Sequence, residues 1–515
     1  MNSTSSAVVT TKSGKLEGAY ENGLYIFRGV PYAAPPVGGL RWMPPQPVKP
    51  WQGVRKADKF GPVAPQNLMP AGPLPIQREI EPQSEDCLFL NIWTPALDNK
   101  KRPVMLWIHG GAFVGGSGSS ISYNTGTLAK RGDIVEITIN YRLGYLGFLR
   151  LKDVTGGKIP STGNEGLLDQ IEALKWVREN IAAFGGDPKN VSVFGESAGG
   201  MSIGCLLAMP AAKGLFQKAI CESGVGNTSV TLERANLIGG QFLKVLGVKK
   251  ENAESLRALS VEKILGADMP LKFSVATPGE PPRSTVTAPV IEGDLIPDVT
   301  NRVARKGSAR GIPVIIGTNL DEWKLFAMMQ PGSSQMDEAA LKVRLAAMVS
   351  PEYGAVLIEP YRKALVKRGV NPTPFEIFSA IQTDSMFRMP SLELVEAQRD
   401  NGTKAYNYLF DWPSPALNGV LGACHALEIG FVHGTCNESF HGSGPEAEKL
   451  SRCIQEAWLA FARTGDPSCP SLGRWPEYGK NRMTMILGKN CNVEEAPYED
   501  ERKAWVNLKR PEILP

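Results

Sequence analysis

The stretch that most restricts how this chain can fold is Val191-Ser192-Val193-Phe194-Gly195-Glu196-Ser197-Ala198-Gly199-Gly200. Apolar and β-compatible residues run into a Gly-x-Ser-x-Gly, and residues 201–209 then read as a helix. A strand that turns sharply into a helix needs residues without Cβ atoms where the two elements close on each other, and Gly195 and Gly199 meet that need. Ser197, at the apex, is then held in a strained backbone conformation, its hydroxyl lifted clear of the sheet above a helix N-terminus. The sequence therefore predicts a nucleophile elbow, a sheet beneath it, and a proton acceptor for the serine elsewhere in the chain.

The sheet is legible on both sides of the elbow. Residues 104–108 (Val-Met-Leu-Trp-Ile) are apolar without alternation, as a strand buried on both faces should be. Residues 87–93, 134–140, 218–221, 313–317 and 406–410 are further strand-like runs. Leu167, Ile171, Leu174, Val177 and Ile181 recur at helical spacing before Gly185-Gly186, and Leu450, Cys453, Ile454, Ala457, Trp458 and Phe461 form the stripe of a late helix. Strand, helix, strand, helix is the pattern of a mostly parallel central sheet with helices on both faces, an α/β fold. Residues 7–60 read as a β-rich opening with a proline-dense coil at 31–50, and residues 61–85 continue irregularly. Residues 230–285 and 335–400 read mostly as helix and are expected to be insertions roofing the site.

Composition closes off several functions. A chain of 515 residues suggests about three domains on length alone, yet no linker or repeat divides it. The net charge of +4 is small and no basic stripe occurs, which argues against nucleic acid as a partner. No run approaches the ~18 apolar residues of a membrane span. Residues 1–11 carry no apolar core of a secretory signal, so a cytoplasmic protein is expected. The eight cysteines include no C-x-x-C, so no metal site or redox motif is read, and no cofactor is expected.

A serine hydroxyl needs a base, and the chain holds four histidines: His109, His425, His433 and His441. In a fold built on a strand–elbow–helix the order is serine, acid, histidine, which excludes His109 as base. Gly110 and Gly111 beside it are better read as backbone N–H donors for the oxyanion of a tetrahedral intermediate, with Ala198, directly after the serine, as a third.

At this point the residues carry a family resemblance. Ser84-Glu85-Asp86-Cys87-Leu88-Phe89-Leu90-Asn91, His109-Gly110-Gly111-Ala112-Phe113, Asn140-Tyr141-Arg142-Leu143-Gly144, Phe184-Gly185-Gly186-Asp187-Pro188 and the elbow itself resemble the type-B carboxylesterases. These form the branch of α/β-hydrolases that includes bacterial para-nitrobenzyl esterases, to which this chain is closest in character, and the cholinesterases. Phe27-Arg28-Gly29-Val30-Pro31-Tyr32-Ala33 and Phe461-Ala462-Arg463-Thr464-Gly465-Asp466-Pro467 extend the likeness over nearly the whole chain. It implies a single catalytic α/β-hydrolase domain over residues 1–515 that hydrolyses carboxylic esters through an acyl-enzyme.

The resemblance also chooses the remaining groups. The family's acid is the glutamate of an Asp-Glu-Gly after a strand, matched by Asp321-Glu322-Trp323; this points to Glu322, with Trp323 in place of the glycine and Asp321 as the alternative. Its histidine lies in a His-x-x-Glu/Asp stretch, matched by His425-Ala426-Leu427-Glu428, so His425 is the base, and His433 and His441 are read as surface or supporting residues. Glu196 and Ser223 resemble positions that support the triad. Two departures narrow the comparison. No cysteine precedes Cys87, so the disulfide of the secreted members cannot form there, and residues 52–92 lack the tryptophan with which cholinesterases bind choline. The expected partner is a small-molecule ester. Amide or carbamate hydrolysis by the same triad is an alternative, and a catalytically inactive adhesion or binding protein is an alternative of another class. Residues 270–285 look too polar and proline-rich for the apolar lid of a lipase.

Overall fold

The computed structural model describes residues 7–67, 81–225, 229–276, 286–330, 332–350, 352–506 and 508. Its frame is one sheet whose strands, in chain order, are β1 (Ala7–Thr11), β2 (Gly14–Glu21), β3 (Leu24–Pro31), β4 (Val54–Lys56), β5 (Phe89–Thr94), β6 (Arg102–Ile108), β7 (Val135–Ile139), β8 (Gly186–Glu196), β9 (Lys218–Glu222), β10 (Val314–Asn319), β11 (Ala405–Phe410), β12 (Met483–Leu487) and β13 (Asn492–Glu495). The lateral order is β1-β2-β3-β5-β7-β6-β8-β9-β10-β11-β12-β13, with β4 beside β2. Every neighbouring pair from β7 to β12 is parallel, and the antiparallel pairs lie toward the two edges.

The central strands are apolar throughout because both of their faces are covered. From β6, Val104, Leu106 and Ile108 enter one core cluster while Met105 and Trp107 enter another. β8 divides in the same way between Val193 and Phe194. The helix Glu165–Asn180 and the elbow helix Ala198–Ala208 fill the first cluster with Leu167, Leu174, Val177, Ile203 and Leu206. The helix Pro445–Thr464 fills the second with Leu450, Ile454, Trp458 and Phe461. Parallel neighbours require crossovers, and helices on the two faces supply them.

Some bounds differ from those the sequence suggests. The elbow helix begins at Ala198, three residues earlier than 201, so that its first turn follows the serine directly. β12, β13 and the short helix Glu499–Trp505 have no counterpart in the sequence reading, since β13 is four residues long and largely exposed and gives no periodic signal. The segment at 335–400 does fold as helices (Glu338–Met348, Gly354–Lys367, Pro374–Thr383 and Met389–Asp400), and 230–276 contributes Leu232–Val245 and two shorter ones. Each segment has a small core of its own, around Leu345, Tyr361 and Phe378 in one case and Phe242, Leu256 and Leu271 in the other. Residues 68–80 of the irregular opening and 277–285 of the polar, proline-rich stretch lie outside the described residues. Among the described residues no helix is long and apolar enough to cross a membrane. The cysteines, Cys87 among them, are free thiols.

One buried ion pair ties the loop after β7 to the helix Glu165–Asn180. Arg142 donates to the two carboxylate oxygens of Asp169 at 2.8 and 2.7 Å, its backbone N–H adds a third bond at 3.0 Å, and its Nη1 reaches the Met43 carbonyl at 2.7 Å. The two side chains are 3% and 0% exposed, so neither charge has water to fall back on. Asp169→Ala leaves the guanidinium buried without its counter-charge and is expected to destabilise the fold by about 3–5 kcal/mol. Denaturant unfolding measures this, and a loss below about 1 kcal/mol would contradict the assignment of the pair as a structural tie.

Candidate active site

Ser197 sits at φ 55°, ψ −124°, between the end of β8 and the start of the elbow helix. The turn is closed to the limit of contact. A Cβ on Gly199 would lie 1.9 Å from the carbonyl oxygen of Ile108, and one on Gly195 would lie 2.5 Å from it. Both positions therefore exclude any larger residue. The Ser197 N–H donates to the Glu222 carbonyl at 2.9 Å, which pins the apex to the end of β9. Ser197 itself is half-buried.

The loop after β11 brings His425 to the elbow. Its Nδ1 lies 2.7 Å from Glu322 Oε2, and the other oxygen of Glu322 accepts the Asn319 N–H at 2.8 Å. Glu322 is fully buried at the start of the helix Glu322–Met328, directly after β10. Asp321 faces elsewhere: Oδ2 accepts the Ala423 N–H at 3.0 Å and Oδ1 lies 3.0 Å from Lys324 Nζ. It anchors the loop that carries His425 and does not reach the imidazole. His425 Nε2 lies 3.1 Å from Glu196 Oε1, off the line of a formed hydrogen bond, so the relation is one of charge proximity. The rings of Phe326 and Phe387 each stand 4.9 Å from the imidazole.

Across from the elbow, the loop after β6 carries Gly110 and Gly111. A Cβ on Gly110 would lie 2.8 Å from the Glu196 carbonyl oxygen and 3.1 Å from Ser197 Cβ, so this backbone lies against the serine. Gly111 has φ 108°, followed by Ala112 and Phe113 at 54° and 62°, a run of left-handed residues closed by Val114 and Gly115 donating to the Gly111 carbonyl. Ala198 is the first residue of the elbow helix, where backbone N–H groups have no partner within the helix. His109 is buried, stacks on Tyr141 at 4.4 Å, and burial lowers it to about 4, so it stays neutral beside the loop.

Around His425 the structure gives Ser223 a partner and adds Glu428, Asn319, Glu222 and Trp458, to which the sequence reading gave no role at the site. Ser223 donates to Glu428 Oε1 at 2.9 Å, and Asn319 Nδ2 donates both to Glu428 Oε2 and to the Cys424 carbonyl, the latter at 2.7 Å. Glu222 accepts the Trp458 Nε1–H at 2.8 Å. Glu428 stands three residues after His425, inside the quoted His-x-x-Glu stretch, and Asn319 ends β10 three residues before Glu322. Of the two readings of His433 and His441, surface or supporting, the surface one is corrected. His433 is 0% exposed, packed against Trp107 at 4.7 Å and 3.6 Å from Glu136, and His441 is buried beside Phe431 and Phe440. Glu136 and Trp107 lie some three hundred residues away in the chain, beyond the reach of local pattern. Among the described residues no group of three or more histidine, cysteine or acidic side chains is arranged to hold a metal ion.

A model of the carboxylesterase family matches residues 5–505. The chain belongs to that family. It is 39% identical over 502 residues to the para-nitrobenzyl esterase of Bacillus subtilis, covering 96% of this chain and 98% of the relative, and 35% identical to the phenmedipham hydrolase of Pseudarthrobacter oxydans, covering 95% and 96%. A solved carboxylesterase from Geobacillus stearothermophilus superposes with a TM-score of 0.86 at 38% identity over 97% of this chain and 99% of that one. A solved para-nitrobenzyl esterase superposes at 0.84 with 39% identity, covering 96% and 99%. This carboxylesterase is thus a carboxylic ester hydrolase of the type-B branch with the α/β-hydrolase fold, and a serine acyl-enzyme mechanism is general to its family.

Electrostatically, three buried carboxylates, Glu196, Glu322 and Glu428, act on one imidazole, and a fourth, Glu222, is buried and acts on Glu196 and Glu428. Burial opposes charge on His425, but Glu196 and Glu322 outweigh it and push its pKa up to about 9. Burial raises Glu196 well above the usual carboxylate range, with the neighbouring acids adding to the rise and His425 alone opposing it. Burial likewise lifts Glu222 to about 8 and Glu428 to about 7. The charge on Glu196 and the protonation of His425 therefore depend on each other.

Proposed function

We propose that Ser197, His425 and Glu322 carry out the ester hydrolysis of this carboxylesterase. The observation that carries the reading is the 2.7 Å contact from His425 Nδ1 to a fully buried Glu322, with the other imidazole nitrogen 3.1 Å from Glu196, the residue before Ser197 in the elbow. Glu322 holds the imidazole in the tautomer whose Nε2 is free to accept a proton, and it stabilises the imidazolium that forms. As His425 takes the Ser197 proton, Oγ adds to the ester carbonyl, and the carbonyl electrons move onto oxygen. The amides of Gly110, Gly111 and Ala198 receive that oxyanion; a donor of this kind contributes about 10²–10³ in rate. Collapse expels the alcohol, protonated by His425. Water then enters and gives a proton to His425 as its oxygen adds to the acyl carbonyl, and His425 returns that proton to Ser197 Oγ as the acyl–oxygen bond breaks and the acid leaves.

Glu196 and Ser223 act behind these groups, Glu196 by its charge on Nε2 and Ser223 by fixing Glu428. We further propose that the whole chain works as one catalytic unit whose helical segments at 230–285 and 335–400 build the roof of the substrate pocket. Phe387, from the second segment, supports this by its contact with His425. Unpaired cysteines fit a cytoplasmic compartment.

Two comparisons test the assignment. Glu322→Gln is expected to lower kcat by about 10³–10⁴-fold, whereas Asp321→Asn, which touches only the loop anchor, should lower it by less than about tenfold; the reverse ranking would overturn the choice of acid. The acid limb of kcat/KM tests the role of Glu196. A neighbouring carboxylate stabilises the imidazolium and so raises the pH below which the base is lost. Glu196→Gln should therefore move that limb to lower pH by about 1 unit, and a limb that stays in place would contradict the charge argument.

A further inference from the structure

Apart from the ester site, a narrow cleft of about 20 Å³ opens where β10, β11 and β12 meet the helix Met389–Asp400 and the segment leading into Glu499–Trp505. Its walls include Arg388, Ser391, Tyr478, Arg482, Glu499 and Arg502. Besides the Tyr408 hydroxyl, four buried polar atoms of this lining have no hydrogen-bond partner among the described residues: Arg388 Nε, Ser391 Oγ, Tyr478 OH and Arg482 Nε. Ser391 and Tyr478 are each 1% exposed and Arg388 9%. Native structures rarely leave buried polar groups unmatched, so four in one cleft call for a ligand or ordered solvent.

The kind of ligand follows from the inventory. All four atoms can donate, and two belong to guanidiniums, which favour planar or tetrahedral oxyanions. The acceptors nearby are already engaged. Glu499 takes Arg482 at 2.9 Å and Arg502 at 2.7 and 2.8 Å, and Asp384 takes Arg388 Nη2 at 2.6 Å as well as the Tyr361 hydroxyl. Asn407 Oδ1 accepts from Thr484 at 3.0 Å. Glu396 and Arg399 bear on Tyr478 with opposite signs. Arg388 also lies over the Tyr498 ring at 5.1 Å, which fixes its plane. The rim is strained at Arg482, Ala496 and Tyr498, all non-glycine residues at φ between 47° and 57°; such strain persists only where the surroundings enforce it.

We propose that this cleft binds a small oxyanion, a carboxylate or a phosphate group, at a site separate from the one that hydrolyses esters. Its occupant completes the hydrogen bonding of Arg388, Ser391, Tyr478 and Arg482. None of these residues belongs to the proposed triad, so the inference stands or falls independently of the choice of Ser197, His425 and Glu322.

The test is calorimetric titration and thermal unfolding of the full chain with inorganic phosphate and, separately, with butyrate, ionic strength being held constant with sodium chloride. Saturable binding with a matching rise in Tm is expected from one of the two anions, and which one identifies the group. Tyr478→Phe and Ser391→Ala remove a hydroxyl and little else, and each should weaken binding about tenfold. A product acid held at the ester site would be insensitive to both changes. The proposal is overturned if neither anion binds saturably, if binding survives both substitutions unchanged, or if a crystal grown in high phosphate shows only water bonded to the four donors.

Discussion

The carbonyl oxygen of Ile108 lies where a methyl group on Gly199 would be, and that contact decides the rest of the molecule. It lets the elbow helix start immediately after β8, and it forces Ser197 into a left-handed backbone that few residues adopt. The contact exists because β6 and β8 are parallel neighbours, so the carboxyl ends of both emerge on the same side. The same geometry gathers everything else. β6 delivers Gly110 and Gly111, β9 delivers Ser223, β10 delivers Glu322, and the loop after β11 delivers His425. A parallel sheet presents the ends of its strands on a single edge, and the proposed catalytic groups collect there.

The second constraint is electrostatic. Four carboxylates and an imidazole share a volume from which water is excluded, and the hydrogen bonding there is incomplete, since Glu196 Oε1 and Glu222 Oε2 have no hydrogen-bond partner among the described residues. Buried charges without full compensation destabilise a fold. The flanking Asn319, Ser223 and Trp458 donors reduce that cost without removing it. What such a cluster gains is control over a proton. Glu196 and Glu322 beside His425 favour its protonated form, which supports the imidazolium of the proposed mechanism.

The features legible in the sequence were those fixed by neighbours in the chain. The elbow, the unalternating β6 run, the glycine pair after it and the stripe of the helix Pro445–Thr464 each carry their own cause in a few residues. What depends on distant partners was not legible. His433 looked like an outer group because nothing near it in sequence shows that Glu136 and Trp107 close over it. Asp321 and Glu322 are adjacent, and only the positions of Ala423 and Lys324 turn one carboxylate away while the other meets the imidazole. The cleft lined by Arg388, Tyr478 and Arg482 is assembled from five separate segments, and no motif announces it.

The central claim is that the strained serine is the atom that carries the acyl group. Its most direct test is to quench the enzyme in acid during steady-state turnover of a para-nitrophenyl ester, then determine the intact mass and map the peptides. The account predicts one acyl adduct per chain, on the peptide containing Ser197, and none in the Ser197→Ala protein. An adduct on another residue, or turnover that persists in Ser197→Ala, would contradict it.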